Sequence, residues 1–197
     1  MIVTVASFKG GVGKTTTAIH LAAYLSSKAK TLLIDGDLNR SASSWAKRGE
    51  LPFSVIDERQ AAKQARHFEH IIIDTQARPE QEDLEALADG CDLLVIPTTP
   101  DALSLDAMML MVNVLGKLGS DRYKVVISII PPKPSKDGDE ARKTLIKVGL
   151  PLFKTGIRRL VAFQKAALAG VPVYAVDDPR AKQGWADYQA LGRELLR

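Results

Sequence analysis

Ile2-Val3-Thr4-Val5-Ala6-Ser7-Phe8-Lys9-Gly10-Gly11-Val12-Gly13-Lys14-Thr15-Thr16-Thr17-Ala18 is the stretch that decides the fold. Residues 2–7 form a short apolar, β-branched run, which predicts a strand. Gly10, Gly11 and Gly13 let the backbone turn tightly and bring its N–H groups together. A helical pattern starts at Lys14 and runs to Ser27. Strand, glycine-rich turn and helix in this order make a phosphate cradle, strengthened by the helix dipole. Lys14 is placed to reach the β- and γ-phosphates of a nucleotide, Thr15 to ligate Mg²⁺, and Thr16 to reach the α-phosphate. ATP with Mg²⁺ is therefore the expected ligand, in contact with Lys9, Gly10, Gly11, Val12, Gly13, Lys14, Thr15 and Thr16.

Downstream, short apolar runs alternate with helical patterns. Strands are expected at 31–35, 53–57, 70–74, 92–97 and 124–130, with a weaker one at 171–176. Helices are expected at 41–47, 58–68, 80–88, 103–118, 139–148, 160–169 and 185–196. Ile71-Ile72-Ile73 and Leu93-Leu94-Val95-Ile96 are apolar at every position, as in parallel strands buried on both faces. The alternation predicts an α/β fold, a mostly parallel twisted sheet flanked by helices, in one domain spanning 1–197. Residues 131–139, rich in proline and charge, read as an exposed loop.

Composition narrows the class. Of 197 residues 46% are hydrophobic and 25% charged, as in ordinary globular domains. No apolar run approaches the roughly 20 residues that cross a bilayer. Residues 2–7 are too few for a secretory signal, so a cytoplasmic location is expected. Cys91 is the one cysteine and reads as a small core residue. His20, His67 and His70 show no metal-ligand spacing. Residues 131–197 carry 13 Lys/Arg against 7 Asp/Glu, whereas 1–130 carry 14 against 16. That asymmetry suits a polyanion partner, and equally a solvated surface.

Three carboxylates end strands on the loop's side of the sheet, where ligands of open α/β sheets bind. Asp74 follows three isoleucines and fits a Walker B carboxylate holding Mg²⁺ through water. Asp35 is expected to help fix the metal shell, and Asp37 to orient the attacking water. The alternative for Asp37 is a turn or helix cap, shared with Asn39 and Ser41.

Phe8 stands where the usual Walker loop has its first glycine, and Lys9 adds a second lysine. Lys9-Gly10-Gly11-Val12-Gly13-Lys14-Thr15 resembles the deviant Walker A signature of the ParA/MinD ATPases, a class of P-loop NTPases. Asp35-Gly36-Asp37, Ile71–Asp74 and Pro97-Thr98-Thr99-Pro100 resemble further family motifs. Leu38-Asn39 replaces the family's usual Pro-Gln after the second aspartate. The resemblance implies catalytic roles for Lys9, Lys14 and Asp37. It also implies a homodimer formed on ATP binding, with Lys9 reaching the partner subunit's nucleotide, and slow hydrolysis stimulated by a ParB-like or other adaptor. Residues 156–172 resemble the segment that carries a DNA-contacting arginine in ParA proteins. Arg158, Arg159, Lys165 and Lys182 are accordingly the expected contacts to non-specific double-stranded DNA, with nucleoid association.

The MinD-like alternative is a membrane-surface positioning ATPase. Trp185, Tyr188, Leu191 and Leu195 form one core-facing stripe, and Asp187 and Glu194 offset Arg193 and Arg197, so no membrane partner is expected. With the ATPase pattern starting at Met1, a preceding helix-turn-helix module is not expected. Adenine contacts are expected from loops after late strands, at Pro131 and Pro179, where a plain turn is the alternative. Plasmid, chromosome and protein compartment all remain open as cargo.

Overall fold

The computed structural model describes residues 1–197, the side chain of Gln81 apart. Six strands, β1 (Ile2–Ser7), β2 (Thr31–Gly36), β3 (Ser54–Asp57), β4 (His70–Ala77), β5 (Leu93–Thr98) and β6 (Tyr123–Ile127), form one sheet in the order β3-β2-β4-β1-β5-β6. All pairings are parallel. The helices are α1 (Lys14–Ser26), α2 (Ser41–Ala46), α3 (Ala61–Gln64), α4 (Gln81–Asp89), α5 (Ala102–Lys117), α6 (Asp137–Lys147), α7 (Val161–Ala169) and α8 (Ala181–Leu195).

Successive strand residues point to opposite faces, and both faces are covered. Val3, Val5, Leu33, Ile72 and Val95 pack under α1, α2, α7 and α8. Leu94, Ile96, Val125 and Ile127 pack under α4, α5 and α6. This is why these runs lack the polar alternation of a half-exposed strand.

Two expected elements are corrected. Residues 171–176 are not a strand: Val173–Ala175 is a 3-10 turn. It lies against α8 and α1 rather than at a sheet edge, and the Val173 N–H donates to His20 Nε2 at 3.0 Å. The single helix expected at 58–68 is broken into a 3-10 turn, the four-residue α3 and a second 3-10 turn. Only Ala61, Ala65 and Phe68 reach the apolar cluster of Leu32, Ile34 and Ile71. A segment so polar elsewhere has too little apolar face to hold a long helix in place. The loop expected at 131–139 ends earlier, since α6 starts at Asp137.

His20, unremarkable in the sequence, is fully buried and stacks on Tyr188 with centroids 4.7 Å apart. With Nε2 accepting from Val173, Nδ1 carries the proton and donates to the Thr16 carbonyl at 2.7 Å. The neutral ring thus uses both nitrogens. Burial pushes its pKa down to about 4, against the pull of the Thr16 carbonyl.

Candidate nucleotide site

β1 ends at Ser7, whose hydroxyl accepts the Lys9 N–H at 3.1 Å and so starts the turn. Gly11 and Gly13 take φ of 80° and 86°, values L side chains rarely adopt. Thr17 N–H then donates to the Gly13 carbonyl at 2.9 Å, opening α1. A Cβ built on Gly10 or Gly11 would meet no heavy atom within 4 Å. The loop therefore rims open space, a cavity of about 390 Å³ walled by Lys14, Thr15, Thr16, Asp37 and Ser41. Val12, expected among the nucleotide contacts, has its side chain in the core and its carbonyl held by Ser128 Oγ at 2.7 Å. Only its backbone can serve a ligand.

Parallel register sets Asp35 and Asp74 side by side, with Val5 on the other side of Asp74. Asp35 and Asp74 are both fully buried, yet their surroundings differ. Asp35 Oδ2 accepts Ser43 N–H at 2.8 Å and Oδ1 accepts Asp37 N–H at 3.2 Å. It holds the turn ahead of α2, and direct metal ligation would compete with those bonds. Both Asp74 oxygens lack any hydrogen-bond partner among the described residues. Burial pushes the Asp74 pKa up to about 7; Asp35 and Asp37 push the same way, while the Thr15 hydroxyl and Lys14 oppose. Buried polar atoms are almost always satisfied, so an orphaned carboxylate marks a missing partner. A Mg²⁺ ion would fit here, and Thr15 and Asp74 are the residues that would hold it. Lys14 is buried too, and that burial lowers its pKa against the attraction of Asp74 and Asp37.

Asp37 lines the same cavity. Its Oδ1 accepts from Asn39 N–H at 3.2 Å and its Oδ2 from Ser41 Oγ at 3.1 Å. The turn role left open by the sequence and a place facing the cavity are thus combined in one residue.

Lys9 does not point at this cavity. Its Nζ donates to Asp101 Oδ1 at 3.0 Å and Ser104 Oγ at 2.8 Å. Asp101 caps α5 by accepting Ser104 N–H at 3.1 Å. The Thr99 hydroxyl first, then Ser104 and Lys9, hold the Asp101 carboxyl well below the usual carboxylate range.

A second cavity of about 350 Å³ adjoins the first, sharing Gly13, Thr16 and Ile129 with it. Ile157, Leu160 and Phe163 give it apolar walls suited to a base. Pro131 and Pro179, expected to touch adenine, line neither cavity. The chain leaves β6 at Ile127 and turns through Ile129, with φ of 52°, before it reaches Pro131.

The CobQ/CobB/MinD/ParA nucleotide binding domain profile matches residues 3–173. Over its full length the chain is 33% identical to the maintenance of carboxysome distribution protein A of Gloeobacter kilaueensis, covering 94% of that protein. The chain belongs to the ParA/MinD family. Among solved structures, a putative plasmid partition protein of Borrelia burgdorferi bound to AMPPNP matches with a TM-score of 0.76 at 20% identity, over 99% of this chain and 98% of that one. The cell division protein MinD of Aquifex aeolicus matches with the same TM-score of 0.76 at 18% identity, over 99% and 96%. The ParA/MinD backbone therefore does not separate the family's branches.

The ParA-like basic residues fall into two groups. Arg158 donates from Nε to both oxygens of the buried Asp187, at 3.0 and 3.1 Å, and lines the second cavity. Lys165 pairs with Asp178 Oδ2 at 2.8 Å. Arg159 and Lys182 are exposed, without an ion pair among the described residues. Sequence reasoning missed Ser128, Asp101 and Ser104. The pattern Asp101-Ala102-Leu103-Ser104 ahead of a helix marks an N-cap, but nothing in it points to Lys9.

His20 and Asp74 carry opposite pH dependences. The depressed His20 pKa contributes stability above about pH 6.5 that is lost as pH falls toward 4. The raised Asp74 pKa costs stability as pH rises from about 4 toward 7. In the nucleotide-free protein the two largely cancel between those limits. We expect Asp74→Asn to unmask the His20 effect, a loss of up to about 3 kcal/mol on acidification to pH 4. His20→Gln should show the reverse slope. Thermal midpoints at pH 4.5–8 without nucleotide test both, and parallel profiles in the two variants contradict the assignment.

Proposed function

We propose that this chain is an ATP-dependent dimerising switch that binds DNA non-specifically and hydrolyses ATP to position cargo. The observation that carries the reading is the open glycine cradle set over a buried, unpartnered Asp74. A triphosphate with Mg²⁺ supplies both the anion for the loop and the cation for that carboxylate. Mg²⁺ adds charge neutralisation at the phosphates when bound.

Each side chain then has a task. The loop amides and α1 receive the phosphates, and Lys14 neutralises their charge from below. Apolar walls at Ile157 and Phe163 exclude water around the base. Asp37, anchored by Asn39 and Ser41, orients water toward the phosphate and accepts its hydrogen bond. Lys9 leaves Asp101 and reaches the partner subunit's nucleotide, so dimerisation depends on the triphosphate. Hydrolysis removes that reward, and an adaptor that orders the Asp37 turn accelerates it.

Dimerisation also doubles the basic surface. Arg159 and Lys182 are free to contact phosphate, whereas Arg158 and Lys165 must first release acidic partners. Phosphate contacts of this kind give salt-sensitive binding without sequence preference. A MinD-like membrane role is less supported, because Tyr188, Leu191 and Leu195 of α8 are buried. No helix among the described residues is long and apolar enough to cross a membrane. Among cargoes, the carboxysome-distribution relative favours a protein compartment.

Co-sedimentation with DNA and with anionic liposomes, each with and without ATP, tests this. We expect ATP-dependent retention on DNA that weakens steeply with salt. Lys182→Ala, which lies outside both cavities, should reduce it severalfold while leaving ATP binding unchanged. Retention on liposomes alone replaces the DNA reading with the membrane one.

A further inference from the structure

We propose that Arg40 is the positioning residue for Asp37, acting as a tether between the Asp37 turn and the end of the sheet. The inference rests on the proposed role of Asp37 as the residue that orients water.

Arg40 adopts φ 51° and ψ 44°, a left-handed conformation that disfavours a long side chain. Among the described residues the other non-glycine residues at positive φ are Arg78 and Ile129, and both lie beside the phosphate loop or its cavity. Conformations of this kind persist where the surroundings over-determine them. At Arg40 the surroundings are visible. Its guanidinium donates to the Asp35 carbonyl at 2.7 Å and pairs with Asp57 Oδ2 at 3.0 Å and Glu58 Oε1 at 3.7 Å. Asp35 and Asp57 are register partners on β2 and β3. Asp57 is itself fixed, because its other oxygen accepts Arg59 N–H at 2.9 Å. One side chain thus ties the turn across two strand ends.

What it ties down moves with Asp37. Arg40 N–H donates to the Asp37 carbonyl at 2.9 Å. The neighbours on each side of Arg40, Asn39 and Ser41, both donate to the Asp37 carboxylate. Residues 37–41 are therefore one hydrogen-bonded unit. Asp37, Asn39 and Ser41 face the cavity, whereas Arg40 reaches back to the sheet. Backbone bonds to the Asp35 carboxylate fix where the turn begins and ends. The Arg40 fork fixes how it leans, and so where the Asp37 oxygens sit relative to the phosphates. A one-ångström misplacement of such a group is enough to slow turnover strongly.

Steady-state ATP turnover and binding of a non-hydrolysable ATP analogue, measured on the full chain, test the tether. Arg40→Gly permits the left-handed backbone and removes the fork. We expect its kcat to fall about tenfold, with KM and analogue affinity within about twofold of the parent chain. Asp57→Asn combined with Glu58→Gln should reproduce that loss, and Arg40→Lys should recover part of it. On an Asp37→Ala background, Arg40→Gly should cost nothing further, since both act through the same group. Unchanged kcat in Arg40→Gly overturns the inference, and so does an equal loss in analogue affinity or full additivity with Asp37→Ala. A parent chain that binds the analogue but never hydrolyses ATP overturns the functional reading itself.

Discussion

Lys9→Ala is expected to abolish ATP-driven dimerisation while the monomer still binds ATP, and Lys14→Gln to lose the nucleotide itself. Both remove one positive charge from the same loop, yet the two charges sit in different surroundings. Lys14 is buried beneath the cradle, where Asp74 and Asp37 attract its charge. Truncating a buried charge partner costs several kcal/mol, so affinity for ATP should fall about 100-fold or more. Lys9 stands at the rim, about one-third exposed, and is engaged with Asp101 and Ser104. It does not line the cavity of its own subunit. Light scattering with and without ATP, beside equilibrium binding of a fluorescent ATP analogue, separates the two defects. Dimerisation of Lys9→Ala at parent ATP levels contradicts the trans role. The Asp101 contact adds a second sign. An exposed pair of this kind is worth up to about 1 kcal/mol, small enough to be released by a nucleotide. Asp101→Asn should therefore favour the dimer by a few-fold, the opposite direction from Lys9→Ala.

Asp37→Ala is expected to lower turnover by about 100-fold, or about 2.7 kcal/mol of barrier, while ATP binding and ATP-dependent DNA retention persist. The separation follows from place. Asp37 faces the phosphate cavity but belongs to the turn after β2, not to the glycine loop that grips the nucleotide. With hydrolysis blocked, DNA retention after ATP dilution should lengthen. Single-turnover hydrolysis and the DNA off-rate after ATP dilution measure the two halves. Parent-like turnover assigns the water to another residue, and lost DNA retention with intact ATP binding assigns Asp37 to the dimer face. The Asn39 and Ser41 bonds to its carboxylate explain why loop composition alone left its role open between cap and catalyst.

Lys9–Thr15 and the run Ile71-Ile72-Ile73-Asp74 show how far local sequence reaches. Loop, helix start and carboxylate at a strand end are short-range patterns, set by glycine, strand periodicity and helix dipole within a few residues. The six strands, the parallel sheet with helices on both faces and the residues of the cradle were therefore legible. Residues 171–176 mark the limit: a β-branched run predicts a strand, but its place against α8 and His20 makes it a 3-10 turn. The residues expected to touch adenine line neither cavity for the same reason. Pro131 and Pro179 are turn residues by sequence, and which loop faces a cavity depends on how β6 and α7 are packed.

Charge pairing was beyond reach of the sequence altogether. Arg158 and Lys165 read as free cations until α8 brought Asp187, and the turn before it Asp178, to them. Asp35 and Asp74 both read as strand-end carboxylates with a part in the metal site. Register places them side by side, but only the turn before α2 and the first turn of α2 give Asp35 its two backbone donors, while Asp74 has none among the described residues. The sequence by itself determined the glycine cradle, because it is built from one continuous stretch of backbone. Tertiary structure decided which charges around that cradle are still free to act. A charge's availability depends on partners that are 92 residues away for Lys9 and 29 for Arg158, and folding alone brings them into contact.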